Sequence, residues 1–369
     1  MRKILYIVPH LRTGGPVNQL YDLIKYLDRN KTEASILTLS PEETRSSKKN
    51  FEDIQVPVVS LGLTRFQSLF MAKSKVGEHI KHNMLDIIHS QGMRPDILLS
   101  SLKFGGRRIC TIHNFPQLDY PMTYGTVIGR LMASIHMRAL RKFDMCVGVS
   151  QAVRNNIMDY YYINNSGIIH NGVDTDIYNK VSLEEKQQFR KQLNLPQKAK
   201  IWISSGHLSI RKDPVAIIDA FIEKYRNNMQ AVLVFLGSGE LETVVKRKIC
   251  EHKNIILRGV VNNVSDYLKA GDFFVSASHA EGLPISVIEA MACGLPVLLS
   301  DIEPHKEIVE MNPAIGKTYL LGSEQSLINA FDCLERVDYK VMSNSAYELV
   351  VKELSAKVMS EKYQKIYLD

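Results

Sequence analysis

Two glutamates, Glu281 and Glu289, stand eight positions apart in the segment HAEGLPISVIEAMACGLPVLLSD. Between them lie Gly282, Leu283 and Pro284 and then an apolar run opened by Ile285 and Ser286. Proline lacks the amide that a helix leaves unpaired at its first position, so Pro284 suits a helix start. The pattern predicts a helix from about Pro284 to Ala292, closed by Gly294. A helix start offers free N–H groups and the positive end of its dipole, which together bind phosphate. A carboxylate is a natural acceptor for sugar hydroxyls and a poor neighbour for phosphate. Glu281 before the helix start and Glu289 on the helix therefore suit a ligand with phosphate between two hydroxyl-bearing groups, as in a nucleotide sugar. The plainer alternative is a loop glutamate and a solvent-facing helix glutamate.

Other segments add to this chemistry. In SSGHLSIRKDP, Arg211 and Lys212 precede a helix predicted from Pro214. Basic side chains at a helix start oppose the helix dipole, so an anion is a reason to hold them there. In RTGGPVN, Gly14 and Gly15 have bare backbones that a phosphate can approach closely. His113 in TIHN ends an apolar run beside Asn114, where a histidine is placed to touch substrate. Asp174 and Asp176 form a D-x-D, the pattern of some metal-dependent sugar transferases. Its place after HNGV favours a capping or hinge role, and no metal ligands are assigned. Neither GSGE nor RTGGPVN has the G-x-G-x-x-G spacing of a dinucleotide site.

These residues must be carried by ordered elements. Short apolar runs such as KILYIVP, EASILTLS, RICTIHN and MCVGVS alternate with helical patterns such as PVNQLYDLIKYL. Near-continuous apolar strands between helices indicate a parallel sheet covered on both faces. The alternation pauses over the polar stretch Asp174 to Glu184 and restarts with KIWISSG, AVLVFLG, NIILRGV, DFFVSAS and PVLLSD. Two doubly wound α/β domains are expected, residues 1–177 and 178–350, with a last helix over 351–369 packing back toward the first. The unusual residues fall at strand ends, where open parallel sheets bind ligands.

The chain has 369 residues, 45% of them hydrophobic, which suits two globular domains and argues against disorder. Met1-Arg2-Lys3 followed by ILYIVPHL resembles a signal peptide, but the apolar run is short and meets His10 and Arg12, so it reads as a buried strand. Nowhere do about 18 apolar residues run together, so no membrane-spanning helix is expected. Five scattered cysteines without a C-x-x-C fit a reducing cytoplasm. The net charge of +7 belongs to the first half: residues 1–178 hold 22 basic and 15 acidic residues, and the rest hold 24 of each. One reading is a solvated surface. The sharper one is peripheral contact with an anionic membrane at the inner face of the plasma membrane, worth about 1 kcal/mol per basic residue near the headgroups. Nucleic acid is not expected as a partner, because no recognition motif accompanies the charge.

The set GGPVN, TIHN, GVSQAV, HNGVDTDIY, GHLSIRKDP, GSGE and EGLPISVIEAMACGLPVLLSD resembles glycosyltransferase family 4, the retaining enzymes of the GT-B fold, in order over nearly the whole chain. The resemblance implies two Rossmann-like domains facing each other across a cleft. It implies that Glu281 approaches the donor sugar's hydroxyls and that Glu289 holds the ribose. Amides around Leu283 to Ser286, with Gly282 and Pro284, and the glycine pair Gly14 and Gly15 meet the phosphates. Gly259 and Val260, in LRGVV, match where the family reads the base through backbone groups. His113 matches a strand-end histidine near the reacting sugar. The family's basic pair is an arginine after the glycine and a lysine five residues on. Here those places hold His207 and Lys212, and Arg211 is expected to take over part of the missing charge. Catalysis would then rest on His113, Glu281 and Lys212. The resemblance further implies transfer with retention, independent of metal and of any cofactor. The donor would be a nucleotide-diphosphate sugar, UDP favoured over GDP. The acceptor would be a lipid-linked oligosaccharide of O-antigen or capsule type.

Three other readings remain at this point. A nucleotide-sugar 2-epimerase shares the architecture, but the E-x7-E context argues against it. An NAD-dependent dehydrogenase lacks its glycine fingerprint. A non-catalytic sugar-nucleotide binding protein is kept open by His207.

Overall fold

A computed structural model describes residues 1–44, 46–226 and 228–369. It divides into two compact units, Met1–Gly172 with Ala356–Asp369, and Val173–Ser355. The boundaries differ by five residues from the expected 177/178 and 350/351. The reason is local. Val173 forms a parallel bridge with Ser355, and its N–H donates to the Leu354 carbonyl. That bridge places residues 173–178 in the second unit.

The first unit is built on a seven-stranded sheet in the order β3-β2-β1-β4-β5-β6-β7. Its strands are β1 (Arg2–Val8), β2 (Thr32–Thr38), β3 (Val58–Ser60), β4 (Ile87–Gln91), β5 (Arg107–Ile112), β6 (Met145–Gly148) and β7 (Ser166–Ile168). Every pairing is parallel. The run of buried residues Ile4 to Val8 shows why β1 is central: it has no polar face to offer water. The expected last helix is two pieces. The helix Tyr339–Leu349 passes through a π-turn, Val350–Leu354, and breaks at the extended Ser355 before the helix Ala356–Leu368 begins. Met359, Tyr363 and Tyr367 of that last helix join the core of the first unit, and the helix packs on Gly15–Lys25. Tyr363 and Tyr367 bring hydroxyls into this core, and those are satisfied. Tyr367 contacts His89 Nδ1 at 2.6 Å, and Tyr363 contacts Thr111 Oγ1 at 2.7 Å.

The second unit carries a six-stranded parallel sheet in the order β10-β9-β8-β11-β12-β13. Its strands are β8 (Lys200–Ser205), β9 (Ala231–Leu236), β10 (Ile255–Leu257), β11 (Phe273–Ser276), β12 (Val297–Ser300) and β13 (Gly316–Tyr319). The short edge strand β13, GKTY, was not anticipated: its single apolar residue gives no strand pattern. Trp202 anchors the core, stacked on Phe273 at 4.5 Å and edge-on to Phe331 at 4.6 Å.

In both sheets the strand order reverses beside the first strand of the unit, between β1 and β4 and between β8 and β11. Helices leave such neighbouring strands on opposite faces, so their carboxyl ends open a crevice. The segments after β1, β4, β8 and β11 therefore hold the favoured ligand positions of each unit.

Candidate active site

The second unit's switch point assembles a charged cluster. Glu281, five residues past β11, is buried. Lys212 Nζ lies 2.5 Å from its Oε1, and Arg211 Nη1 lies 3.2 Å from its Oε2. Burial works to raise the Glu281 carboxyl, but Lys212 and Arg211 outweigh it and hold the group down at about 2. The two loops are also tied through their backbones. His279 N–H donates to the Arg211 carbonyl at 2.8 Å, and Arg211 Nη1 donates to the Ala280 carbonyl at 2.7 Å. Asp213 caps the helix Pro214–Tyr225 by accepting from Ala216 N–H at 3.1 Å, and its other oxygen meets His279 Nε2 at 3.0 Å. Lys212 and Arg211 are thus held at a helix start by a carboxylate, which removes the cost of placing cations there.

The neighbouring strand ends interlock through glycine. Gly237 has φ +133, and a Cβ on it would stand 1.9 Å from the Gly206 carbonyl oxygen. Its N–H donates to the Gly259 carbonyl at 2.7 Å. The turns after β8, β9 and β10 are therefore packed backbone to backbone, with Gly259 at φ +71 and Val260 exposed beside it. His207 extends outward and pairs with Glu240 at 3.0 Å. Unlike Arg211 and Lys212, it has no ion pair with Glu281; its partner is Glu240 of GSGE.

Pro284 is the N-cap of the helix Ile285–Ala292, which therefore starts one residue later than expected, and Pro284 has φ −73 and ψ 110. The extended ψ lets Gly282, Leu283 and Pro284 run into the site before the helix turns. Gly294 closes the helix at φ +76. The amides of Ile285 and Ser286 belong to its first turn, where no intrahelical acceptor exists. Glu289 is half-buried on the same helix. Burial pushes its carboxyl up to about 7, against the opposing pull of the Tyr178 hydroxyl and of Lys212. Two glutamates eight residues apart thus occupy opposite electrostatic settings, one fixed as a carboxylate and one poised between its two forms.

In the first unit, Gly14 caps the helix Gly15–Lys25 in an extended conformation, φ 168. A Cβ there would meet nothing nearer than the Arg12 carbonyl oxygen at 4.0 Å, so the fold itself does not demand glycine. His113 follows β5, and its Nε2 lies 3.3 Å from Gln91 Oε1. Gln91 in turn donates to Gln19 Oε1 at 3.1 Å, so the residues after β1, β4 and β5 share one chain of amides. Burial pushes His113 down to about 4, which leaves it neutral near pH 7.

The D-x-D is a turn. Asp174 is buried, and its Oδ1 accepts from Asp176 N–H at 3.0 Å. Sequence reasoning missed Tyr178, which closes the HNGVDTDIY segment without a signal of its own and reaches Glu289. It missed Gln91 and Gln19, since an amide on a strand end or helix carries no spacing signal. It missed Asp213 as a partner of His279, although the Asp-Pro pair at a helix start was visible. It also missed His305, buried on the helix Glu303–Met311.

Residues 13–177 match the model described as Glycosyltransferase Family 4, and residues 185–334 match that of the Glycosyl transferases group 1. The chain belongs to the family 4 glycosyltransferases. It is a hexosyltransferase of the GT-B fold. This glycosyltransferase is 26% identical over 377 residues to the O-antigen biosynthesis glycosyltransferase WclY of Escherichia coli, with 99% of this chain and 98% of the relative aligned. It is 31% identical over 216 residues to the UDP-Gal:alpha-D-GlcNAc-diphosphoundecaprenol alpha-1,3-galactosyltransferase of Escherichia coli, which covers 55% of this chain and 54% of that one. Among solved structures, Anabaena Alr3699/HepE in complex with UDP-glucose superposes with a TM-score of 0.84 at 19% identity over 99% of both chains. At that identity the likeness carries the fold alone.

Proposed function

We propose that this glycosyltransferase moves a hexose from a nucleotide-diphosphate sugar to a hydroxyl of a lipid-linked oligosaccharide, with retention of anomeric configuration, in O-antigen-type polysaccharide synthesis. The carrying observation is Glu281, ionised between Lys212 and Arg211 and placed just before a helix start whose second turn bears Glu289. On this reading Glu281 accepts from the sugar hydroxyls, Glu289 accepts from the ribose, and Gly282 to Ser286 meet the diphosphate. Gly259 and Val260 border the base. To the first unit the reading assigns Gly14 and Gly15 as a phosphate-facing turn and His113 as the strand-end histidine that meets the reacting sugar. A UDP-sugar is favoured over a GDP-sugar: UDP and UDP-glucose occupy the Anabaena structures, and the Escherichia coli galactosyltransferase is named for UDP-Gal.

Lys212 and the helix start stabilise the charge that develops on the departing diphosphate, so the reaction needs no metal ion. The acceptor hydroxyl attacks on the face the diphosphate leaves, and a diphosphate oxygen takes its proton. Arg211 supplies part of the positive charge absent at His207. A metal-free thermal-shift panel with UDP, GDP, ADP, CMP and NAD, on wild type and Glu289→Ala, tests this. Stabilisation by one nucleotide diphosphate that the variant loses supports the donor site and names its base. No stabilisation of a folded wild type by any of them rejects it.

The acceptor brings the enzyme to an anionic membrane surface. No helix among the described residues is long and apolar enough to cross a bilayer. The helices Pro116–Tyr124 and Thr126–Leu140 instead expose Met122, Val127, Ile128 and Leu131, with Arg130 and Arg138 exposed among them. Apolar side chains interspersed with cations suit the headgroup boundary of an anionic leaflet.

A further inference from the structure

In the first unit a line of contacts runs from the last helix of the chain to His113, and each contact allows one arrangement of protons. Met359 Sδ, on the helix Ala356–Leu368, lies 3.4 Å from Gln19 Nε2 and accepts from the Gly172 backbone N–H at 3.2 Å. A thioether has no proton, so both contacts point at the sulfur. Gln19 therefore turns its NH2 group to Met359 and its Oε1 away. Gln91 meets that oxygen at 3.1 Å and must do so with its own NH2 group. Gln91 Oε1 is then left for His113 Nε2, 3.3 Å away. A carbonyl oxygen only accepts, so Nε2 carries a proton.

The direction of this chain is enforced by burial. Met359, Gln19 and Gln91 are all buried, so an amide turned the wrong way would set donor against donor or acceptor against acceptor away from water. Burial also pushes His113 down to about 4, so the ring is neutral near pH 7 and holds one proton. With that proton on Nε2, Nδ1 is a lone pair. His113 itself is half-buried, at the end of β5.

We propose that Met359, Gln19 and Gln91 are positioning residues for His113: the sulfur fixes the direction of the amide chain, which holds the ring as the Nε2–H tautomer and leaves Nδ1 to accept from a hydroxyl of the reacting sugar. The inference rests on the reading of His113 as the strand-end histidine that meets that sugar. It gives the ring an accepting role there, and it makes the last helix part of how that role is set. Met359→Leu keeps the side-chain volume but puts a methyl group where the sulfur accepts. The Gln19 NH2 group then faces a partner that cannot accept. Turning both amides over exchanges this buried donor for a buried carbonyl oxygen, the less costly group to leave unpaired. It also sets the Gln91 NH2 group against Nε2, which requires the proton on Nδ1. The leucine variant thus releases the tautomer that donates where the wild-type ring accepts.

Nitrogen-15 spectra of the histidine-labelled protein, with His113→Gln to assign the signal, read the tautomer without any ligand. A protonated Nε2 and a bare Nδ1 are expected in wild type, and a protonated Nδ1 should emerge in Met359→Leu. A protonated Nδ1 in wild type, or a Met359→Leu spectrum identical to wild type, overturns the proposal. Release of UDP from UDP-glucose, UDP-galactose and UDP-N-acetylglucosamine identifies the sugar that wild type turns over. With that donor, Met359→Leu and Gln91→Leu should each lose about three- to tenfold in kcat, the worth of one neutral hydrogen bond, while stabilisation by UDP alone is retained. Gln91→Leu cuts the chain, so adding Met359→Leu to it should cost nothing more. Losses that multiply assign the two side chains separate packing roles and overturn the proposal. Undiminished turnover by His113→Gln breaks the reading of His113 at the sugar instead, and a wild type that no nucleotide stabilises breaks the donor reading. In both cases the nitrogen spectra still decide whether Met359 sets the tautomer.

Discussion

At the strand ends of the second unit the charged side chains satisfy one another. Lys212 and Arg211 hold Glu281, Asp213 holds His279, and backbone bonds lock the loops that carry them. At the strand ends of the first unit, His113, Gln91 and Gln19 form an uncharged chain of hydrogen bonds and Gly14 is extended, while the carboxylates there, Asp96 and Glu42, are taken up by Ser90 and His136 and by the Leu11 N–H. Its helices Pro116–Tyr124 and Thr126–Leu140 leave apolar side chains outside. One architecture is thus furnished in two ways. A site that must stabilise a departing diphosphate gains from charges fixed beforehand, because no reorganisation remains to be made as the charge develops. On the proposed function the first unit receives the acceptor, and uncharged polar groups suit that role. On the same reading, the charges fixed in advance belong to the donor side.

The largest effect is expected where the fixed charges meet. Glu281→Ala removes the group that two cations share and leaves Lys212 and Arg211 without their partner. Turnover of the sugar nucleotide should fall by about 10²–10³-fold, the range for losing one preorganised electrostatic contact. Stabilisation by UDP, which lacks the sugar, should persist. If turnover survived with both cations unpaired, the second unit would not owe its function to charges set in advance.

Glu289 sharpens the contrast within the second unit, since its charge is not fixed. Its folded carboxyl sits at about 7 against 4.5 for the ordinary group. Between those values the native state binds the extra proton, so this group's contribution to stability is present below about 4.5 and is lost as pH rises through about 7. Glu289→Gln, neutral throughout, should melt with wild type at pH 5 and above it at pH 8. If Glu289 accepts from the ribose hydroxyls, as proposed, UDP should stabilise wild type more strongly as pH rises through 7, while the variant stays weak at every pH. Melting curves with and without UDP at those pH values check both halves.

Arg211→Ala tests how far the cluster shares its charge. Lys212 lies nearer the carboxylate, 2.5 Å against 3.2 Å, and is the more enclosed of the two. The loss of Arg211 should therefore act chiefly on donor KM, by about tenfold, one hydrogen-bonded charge. An unchanged KM would assign the substitute charge to a residue other than Arg211.

The second unit was more legible in the sequence than the first, for a physical reason. Strands buried on both faces must be continuously apolar, so KIWISSG and AVLVFLG announced themselves, whereas GKTY, at the sheet edge, did not. Glu281, Arg211 and Lys212 were legible because charged residues beside glycine and proline at strand ends are hard to place for any other reason. Their mutual pairing was not legible, since it depends on a fold that brings residues 70 positions apart together. His305 and Tyr178 were hidden by the same long range. In the first unit, His113 was visible at a strand end, but the Gln19 and Gln91 side chains that hold it look like any other amides. The break at Ser355 was hidden in a pattern that reads as one helix through Tyr367.

The smallest expected effect probes the first unit. Ile128 and Leu131 are 60% and 61% exposed, and Arg130 stands between them in sequence. If that surface lies at a membrane, Ile128→Asp with Leu131→Asp should reduce flotation with anionic vesicles severalfold, with no change in stabilisation by UDP, since neither residue is assigned to the donor site. Wild-type flotation should also weaken with salt, since screening shortens the reach of the basic residues to within about 10 Å at 0.1 M. Salt-insensitive flotation would assign the attraction to the apolar side chains alone. Equal flotation of the variant would move the docking face elsewhere, and the exposed Phe66, Leu69 and Phe70 on the helix Arg65–His82 would be the next residues to charge.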